Sequence, residues 1–405
     1  MIAYASRQPR GEPVCIDRCG AWTILRMTID IATPLLGGLS PQTFMRRHWQ
    51  KKPLLIRQAL PGAEPALDRA AMFALAAAEG VESRLIERRA GRWSLRHGPF
   101  TRRQLPPLAR PDWTLLVQGV DLHLPAAHRL LSRFRFASDA RLDDVMISYA
   151  TDGGGVGPHI DSYDVFLLQL AGRRRWRVGR TARPELVPDM PLKLLANFEP
   201  DMEWVLDAGD MLYLPPGWAH EGVADGECLT ASIGFRAPTR DEVGRQLLQR
   251  MLDGADDDDG QGARYRDAAQ AATDQPARIP VRLAEFAAEA VRRVADDPSS
   301  LDCSLGEWLS EPKPQTWFEP EQALPGRCAV VLDRRTRMLY DDRHVFINGE
   351  SFVASGRDAR LMRRLADGRT LDAHEVAALS PQAQELLHSW VFQGWLRAAG
   401  GSDRH

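Results

Sequence analysis

The run GGGVGPHIDSYDVFLLQLAGRRRWRVG, residues 153–179, carries His159 and Asp161 at its head and three arginines at its tail. Alternate side chains of a strand share a face, so His159 and Asp161 point one way and Ile160 the other. An imidazole and a carboxylate on one face supply two ligands of a 2-His-1-carboxylate facial triad, which suits Fe(II) with open positions. With ten histidines in the chain, a His-x-Asp arises easily by chance, so a third ligand decides the matter. DAGDMLYLPPGWAHEG, residues 207–222, offers His220 behind a Pro215-Pro216-Gly217 turn. In a rolled-up β fold that strand can return beside the first. The plainer alternative is a loop histidine near a surface turn.

The arginines extend the same logic. A facial triad leaves three positions open on the metal. A keto acid such as 2-oxoglutarate fills two through its C1 carboxylate and keto oxygen, leaving one for dioxygen. Its distal carboxylate then calls for a cation, and arginine pairs with carboxylate bidentately. Arg174 reads as lying on the next strand after a turn at Gly172, facing opposite to Arg173 and Arg175. A solvated basic hairpin accounts for Arg173 and Arg175 but not for the whole arrangement. Gly153-Gly154-Gly155 is no phosphate loop, because no Lys-Ser/Thr follows.

These residues need a frame of strands. DWTLLVQGV, DDVMISYA, DVFLLQLA, RRWRVG, MEWVLDAGDMLYLPPG and CLTASIGF read as short strands divided by turn signals, the pattern of a sandwich or barrel. Upstream, Ser40-Pro41 is a helix N-cap with proline at the first helical position. Phe44 and Trp49 are placed to face a core; the helix stops before Pro53, and PLLIRQA reads as a strand. Residues 68–89 look helical from their alanine spacing, and ESRLIERRAGRWSLRHGPF looks like two strands joined at Ala90-Gly91. The fold class is a mainly β core with an N-terminal helical layer.

Beyond residue 238 the texture changes. Residues 239–252 predict a helix with Val243, Leu247, Leu248 and Met251 on one face. DGADDDDGQG, 253–262, reads as a solvated acidic loop without the alternating ligands or distal Glu of a calcium site. Residues 282–295 predict an amphipathic helix whose stripe of Leu283, Phe286, Val291 and Val294 serves either a core or a dimer contact. After EPKPQ, strands with a type I′ turn at Asn348-Gly349 lead to helices at 356–366, 372–378 and 381–398. A hairpin with small helices resembles a winged helix. Its even mix of acid and base favours a protein-contact or scaffold role over direct DNA binding.

At roughly 100–200 residues per domain, 405 residues suggest two or three domains. A net charge of −2 gives no sign of a nucleic-acid binder. Cys15, Cys19, Cys228, Cys303 and Cys328 are odd in number and scattered, which reads as free thiols in a reducing cytoplasm. No apolar run reaches the ~18 residues of a membrane span. The first 26 residues lack a secretory apolar stretch and any periodicity, so they predict a disordered leader, with Met27 a candidate start.

DDVMISYATDGGGVGPHIDSYDVFLLQLAGRRRWRVG, GDMLYLPPGWAHEG and SIGFRAP together resemble the bacterial JmjC-type ribosomal oxygenases, 2-oxoglutarate-dependent arginine 3-hydroxylases of large-subunit ribosomal protein L-sixteen. RHWQKKPLLIR, SRLIERRAGRWSLRHGPF and WTLLVQGV extend the likeness, which is strong over 40–240 and loose beyond. The resemblance implies a double-stranded β-helix (cupin/JmjC jelly roll), a helical middle segment and a winged-helix-like α+β end. The corresponding boundaries are a leader at 1–35, a catalytic domain at 36–238, a dimerisation segment with the acidic loop at 239–312, and the last domain at 313–405. It implies Fe(II) on His159, Asp161 and His220, the distal carboxylate of 2-oxoglutarate on Arg174, and Ser148 and Ser232 lining the co-substrate pocket, with dioxygen as the second co-substrate. The substrate arginine would meet Asp144, Met146 and Tyr163. Asp143 could exchange roles with Asp144, but only Asp144 shares a strand face with Met146. A cytoplasmic homodimer acting on the β-carbon of an arginine is the function implied. The alternatives are a JmjC or cupin oxygenase for another protein or an RNA, and a non-catalytic ribosome- or peptide-binding module.

Overall fold

The computed structural model describes residues 28–60, 67–253, 264–266, 279–295, 298–320, 324 and 328–399. The expected leader before Thr28, Cys15 and Cys19, and the acidic run at 254–262 lie outside them. Thr33 caps a short 3-10 turn at Pro34–Leu36 that buries Leu35 and Leu36.

Ser40 Oγ accepts the N–H of Thr43 at 3.2 Å and starts α1 (Pro41–Arg47), with Pro41 where no intrahelical N–H is needed. Phe44 is fully buried among Trp49, Phe166 and Tyr213, as the sequence predicts for Phe44 and Trp49. Removing its ring would cost about 3–5 kcal/mol. β1 (Leu54–Ile56) follows Pro53 as expected. Asp68 caps α2 (Arg69–Ala77). The helix expected to run to residue 89 stops there: Ala78 is extended, Gly80 sits at φ +79°, and β2 (Ser83–Arg89) begins. Alanine spacing describes the first half of that stretch, but Ser83, Leu85 and Glu87 alternate inward as a strand demands. β2 turns at Ala90-Gly91, both at positive φ, into β3 (Arg92–His97).

The main sheet is completed by β4 (Trp113–Val117), then, after α3 (Val120–His123) and α4 (Pro125–Ser132), by β5 (Leu142–Ala150), β6 (His159–Ile160), β7 (Val165–Gly179), β8 (Met202–Leu206), β9 (Met211–Leu214) and β10 (Ala219–Phe235). All pairings are antiparallel, in the order β1-β9-β7-β10-β5-β4-β2-β3, with β6 on β10 and β8 on β7. Two expected strands, DVFLLQLA and RRWRVG, are one: β7 runs through Gly172 without a turn. It lies along β10, and these two long strands form the rails of the site.

α5 (Arg240–Asp253) buries Leu247 and Met251 but leaves Leu248 50% exposed, so the expected four-residue face is narrower by one. α6 (Val281–Ala295) leaves Leu283, Phe286 and Val291 exposed among the described residues. α7 (Pro298–Ser310) runs against α5 and the sheet of β12 (Met338–Tyr340), β13 (His344–Ile347) and β14 (Glu350–Val353). β13 and β14 join at Asn348-Gly349, at φ 49° and 91°, the predicted type I′ turn.

By compactness the described residues within 26–317 and 334–354 form one unit, and those within 318–333 and 355–405 a second. The second holds β11 (Val330–Leu332), which precedes β12 in the chain, then α8 (Gly356–Gly368), β15 (Thr370–Leu371), α9 (Ala373–Ala378), α10 (Pro381–Phe392) and β16 (Leu396–Ala398). The helix expected to continue to 398 ends at Phe392: Gly394 lies at φ +77°, and the residues beyond it pair with β11. Among the described residues no helix is long and apolar enough to cross a membrane.

Candidate active site

β6 and β10 set His159 directly opposite His220, with ring centroids 4.2 Å apart. Each ring donates its Nδ1–H to a carbonyl two residues back, His159 to Gly157 at 3.0 Å and His220 to Trp218 at 3.0 Å. These bonds fix the tautomer and leave the Nε2 lone pairs free for a metal. Asp161 Oδ2 lies 3.9 Å from Nε2 of His159 and 3.6 Å from Nε2 of His220. The Gly217 N–H donates to the Asp161 carbonyl at 2.9 Å, so the proline turn pins the backbone of Asp161, just beyond the end of β6. Burial, and then the neighbouring His159, push the His220 pKa down to about 4, which keeps its ring neutral and able to ligate at neutral pH. Two imidazoles and one carboxylate converge within 4.8 Å, a donor set that suits a divalent ion with open positions.

Arg174 reaches this site because of Gly172. Before it, Val165 and Leu167 share one apolar cluster; after it, Trp176 and Val178 join the same cluster. The pairing with β10 shifts on either side of Ala171, with one extra residue in β7 between Gln169 and Ala171 and two in β10 opposite Gly172, and across this bulged stretch the inward parity of β7 changes from odd to even. Gly172 stands at φ +64°, and a Cβ there would lie 2.1 Å from the Glu227 carbonyl. The switch turns Arg174 inward, 5% exposed, and sends Arg173, Arg175 and Arg177 outward to Asp225, Glu203 and Glu221. The solvated reading thus holds for Arg173 and Arg175 alone.

Arg174 Nη1 donates to Ser148 Oγ at 3.2 Å, while its Nε and Nη2 are buried with no partner among the described residues. A buried guanidinium with unmade bonds is costly, and a carboxylate satisfies it in a forked pair. Trp176, which the sequence reading passed over, backs the guanidinium at 5.8 Å and also lies against His220. A side chain at residue 222 would strike the Trp176 ring at 2.7 Å, so the glycine in GWAHEG makes room for it.

One cavity of about 460 Å³ joins these parts: the triad, Arg174, Ser148 and Ser232 line it together with Asp144, Met146 and Tyr163. That volume fits a small ligand with a side chain beside it. Asp143 also reaches the rim, although alternation puts it on the other strand face. Asp144 is 3% exposed, and its Oδ2 accepts from Gln118 Nε2 at 2.6 Å and the Gly119 N–H at 2.9 Å. Tyr163 is 39% exposed; burial of its hydroxyl end and the Asp161 charge raise its phenol well above the ordinary range.

A family model described as the JmjC domain matches residues 129–243, and one described as the ROXA-like winged helix matches 293–397. The chain is 32% identical over 375 residues to the ribosomal protein uL16 3-hydroxylase of Escherichia coli (strain K12), covering 87% of this chain and 97% of that protein. A probable ribosomal oxygenase of Haemophilus influenzae is 28% identical over 397 residues, 88% of this chain and 96% of its own length. The structure of E. coli YcfD, a ribosomal oxygenase, in complex with cobalt and 2-oxoglutarate superposes with a TM-score of 0.75 at 30% identity, covering 89% of this chain and 98% of that one. An X-ray structure of E. coli YcfD gives 0.77 at 29% identity, with 88% and 97% covered.

Proposed function

This chain belongs to the JmjC-domain ribosomal oxygenases, and on that premise we propose that it hydroxylates the β-carbon, C3, of an arginine in ribosomal protein uL16, the L-sixteen protein of the large subunit. The observation that carries this reading is the buried Arg174 guanidinium, with two unpartnered nitrogens, in the cavity that His159, Asp161 and His220 also line.

Bound Fe(II), with 2-oxoglutarate and dioxygen, supplies the oxidising chemistry that converts C–H to C–OH as the keto acid becomes succinate and carbon dioxide. His159, Asp161 and His220 would hold the metal through Nε2, Oδ2 and Nε2. Arg174, steadied by Ser148, takes the distal carboxylate of the keto acid, and Ser232 lines the same cavity. Asp144 accepts the substrate guanidinium, Tyr163 covers its flat face, and Met146 adds apolar contact. No side chain is required to remove a proton. The work of the chain is to orient one C–H bond and to fix the open positions beside it.

Mass spectrometry of uL16, or of a fragment around its arginine, after incubation with enzyme, Fe(II) and 2-oxoglutarate tests the reading. One added oxygen on that arginine, absent with His159→Ala, supports it. Succinate without added oxygen assigns another protein or RNA substrate. Neither product leaves the binding-module alternative. We infer a cytoplasmic location from the ribosomal substrate proposed here. We infer that two copies pair through the exposed stripe of Leu283, Phe286 and Val291 on α6, which sedimentation of the full chain checks.

A further inference from the structure

Lys313 lies in EPKPQ, outside the 129–243 match that contains the triad, Arg174 and Asp144. Proline on both sides restricts its backbone, since the residue before a proline is held to extended conformations. Its amino group forms ion pairs with Asp143 Oδ1 at 2.9 Å and with Asp144 Oδ2 at 3.2 Å, with only 18% of the side chain exposed. Asp144 Oδ2 thus accepts two hydrogen bonds, from Gln118 and Gly119, and pairs with Lys313 from a distant part of the chain. No partner falls on Asp144 Oδ1 among the described residues, and Asp144 lines the cavity. A carboxylate pinned by one oxygen has the other fixed in direction.

We propose that Lys313 is a positioning residue for substrate recognition, holding Asp144 so that Oδ1 alone is presented to a cationic side chain in the cavity. The proposal deepens the arginine-hydroxylase reading and rests on it for the chemistry of the substrate. Three acids, Asp121, Asp143 and Asp144, converge on Lys313, with Arg236 3.6 Å from Asp143 and the buried Arg337 acting on Asp143 and Asp121. Burial alone would lower the Lys313 pKa, but Asp144, Asp143 and Asp121 hold it above the ordinary value, so the ammonium persists. Arg236 and Arg337 still serve Asp143 and Asp121 without it, but Asp144 loses the cation it pairs with and its fixed direction.

The test uses full-length enzyme with Co(II) and 2-oxoglutarate, and N-acetyl-arginine amide against N-acetyl-citrulline amide as probes. These report guanidinium recognition whether or not uL16 is the substrate. The wild type is expected to prefer arginine about tenfold or more, the scale of one charge-assisted bond in a dry site. Lys313→Met erases the preference and Lys313→Arg retains it. With the uL16 fragment, Lys313→Met raises the KM for the fragment while kcat and the KM for 2-oxoglutarate stay within about twofold, a split that general loosening of the fold does not give. An undiminished arginine preference in Lys313→Met, or tighter arginine binding, overturns the proposal, and so does no preference in the wild type. If Lys313→Met does not fold, Lys313→Gln gives the same reading. A wild type that prefers arginine amide but leaves uL16 untouched counts against the substrate reading alone and leaves Lys313 its role.

Discussion

His159 and His220 are cross-strand partners, and both turn Nε2 toward the same oxygen of Asp161. Removing any of the three leaves two donors, too few for a facial set. His159→Ala, Asp161→Ala and His220→Ala are each expected to abolish hydroxylation. Their Co(II) affinity falls by more than about 100-fold, the upper end of what even outer partners of such ligands cost. Co(II) absorption titrations check the binding. Near-normal metal affinity in Asp161→Ala would remove it from the ligand set.

Arg174 makes a separable prediction. Arg174→Met takes away the cation while Ser148 stays, so the KM for 2-oxoglutarate rises by about 10- to 100-fold, as for a charge-assisted bond of about 1.5–3 kcal/mol. Arg173→Ala and Arg175→Ala touch only surface pairs and leave it unchanged. Succinate formation against 2-oxoglutarate concentration distinguishes them; equal effects at positions 173 and 174 would contradict the inward assignment.

Gly172→Ala meets a carbonyl at 2.1 Å in a backbone conformation that L residues avoid. We expect a loss of about 2 kcal/mol or more, together with weaker 2-oxoglutarate binding, because the bulge sets the direction of Arg174. Urea melts and the co-substrate KM are the checks. A stable variant with normal KM would mean that β7 keeps its parity by other means.

Asp121 is expected to shape the pH dependence of stability. It is buried, with Oδ1 accepting the Val145 N–H at 2.8 Å. Burial, then the Asp144 charge, raise its pKa from an ordinary 3.8 to about 7. Between those values the folded protein keeps a proton that the unfolded chain has released, so rising pH removes stability. Asp121→Asn retains an acceptor for Val145 and has no such proton. Its Tm advantage over the wild type therefore grows from about pH 4 to about pH 7 and then levels. Parallel Tm curves would show that Asp121 ionises normally.

The triad and the inward arginine were legible because the chemistry fixes residue types and strands fix faces. What escaped the sequence depended on backbone geometry or on distant segments. Alternation places Arg174 opposite its neighbours but does not reveal that one strand carries it through a bulge. Alanine content carried the second helix past Gly80, and apolar spacing carried the last helix past Gly394, both at positive φ. Leu248 fits a helical stripe yet faces out, since what the stripe meets belongs to tertiary structure. Lys313 sits in a proline-rich stretch with the look of a linker, and nothing in its spacing points to Asp144, 169 positions earlier.

The bulged stretch around Gly172 makes β7 sensitive to length rather than composition. Deleting one residue between Leu170 and Arg173 would exchange inside for outside over the rest of the strand: Arg174 would face solvent, and Arg173 and Arg175 would enter the cavity. A frame shift of one position would thus put two unshielded cations where one now serves, although every residue type needed for the reaction would still be present. Along this strand, a variant sequence is judged first by counting residues and only then by their identity.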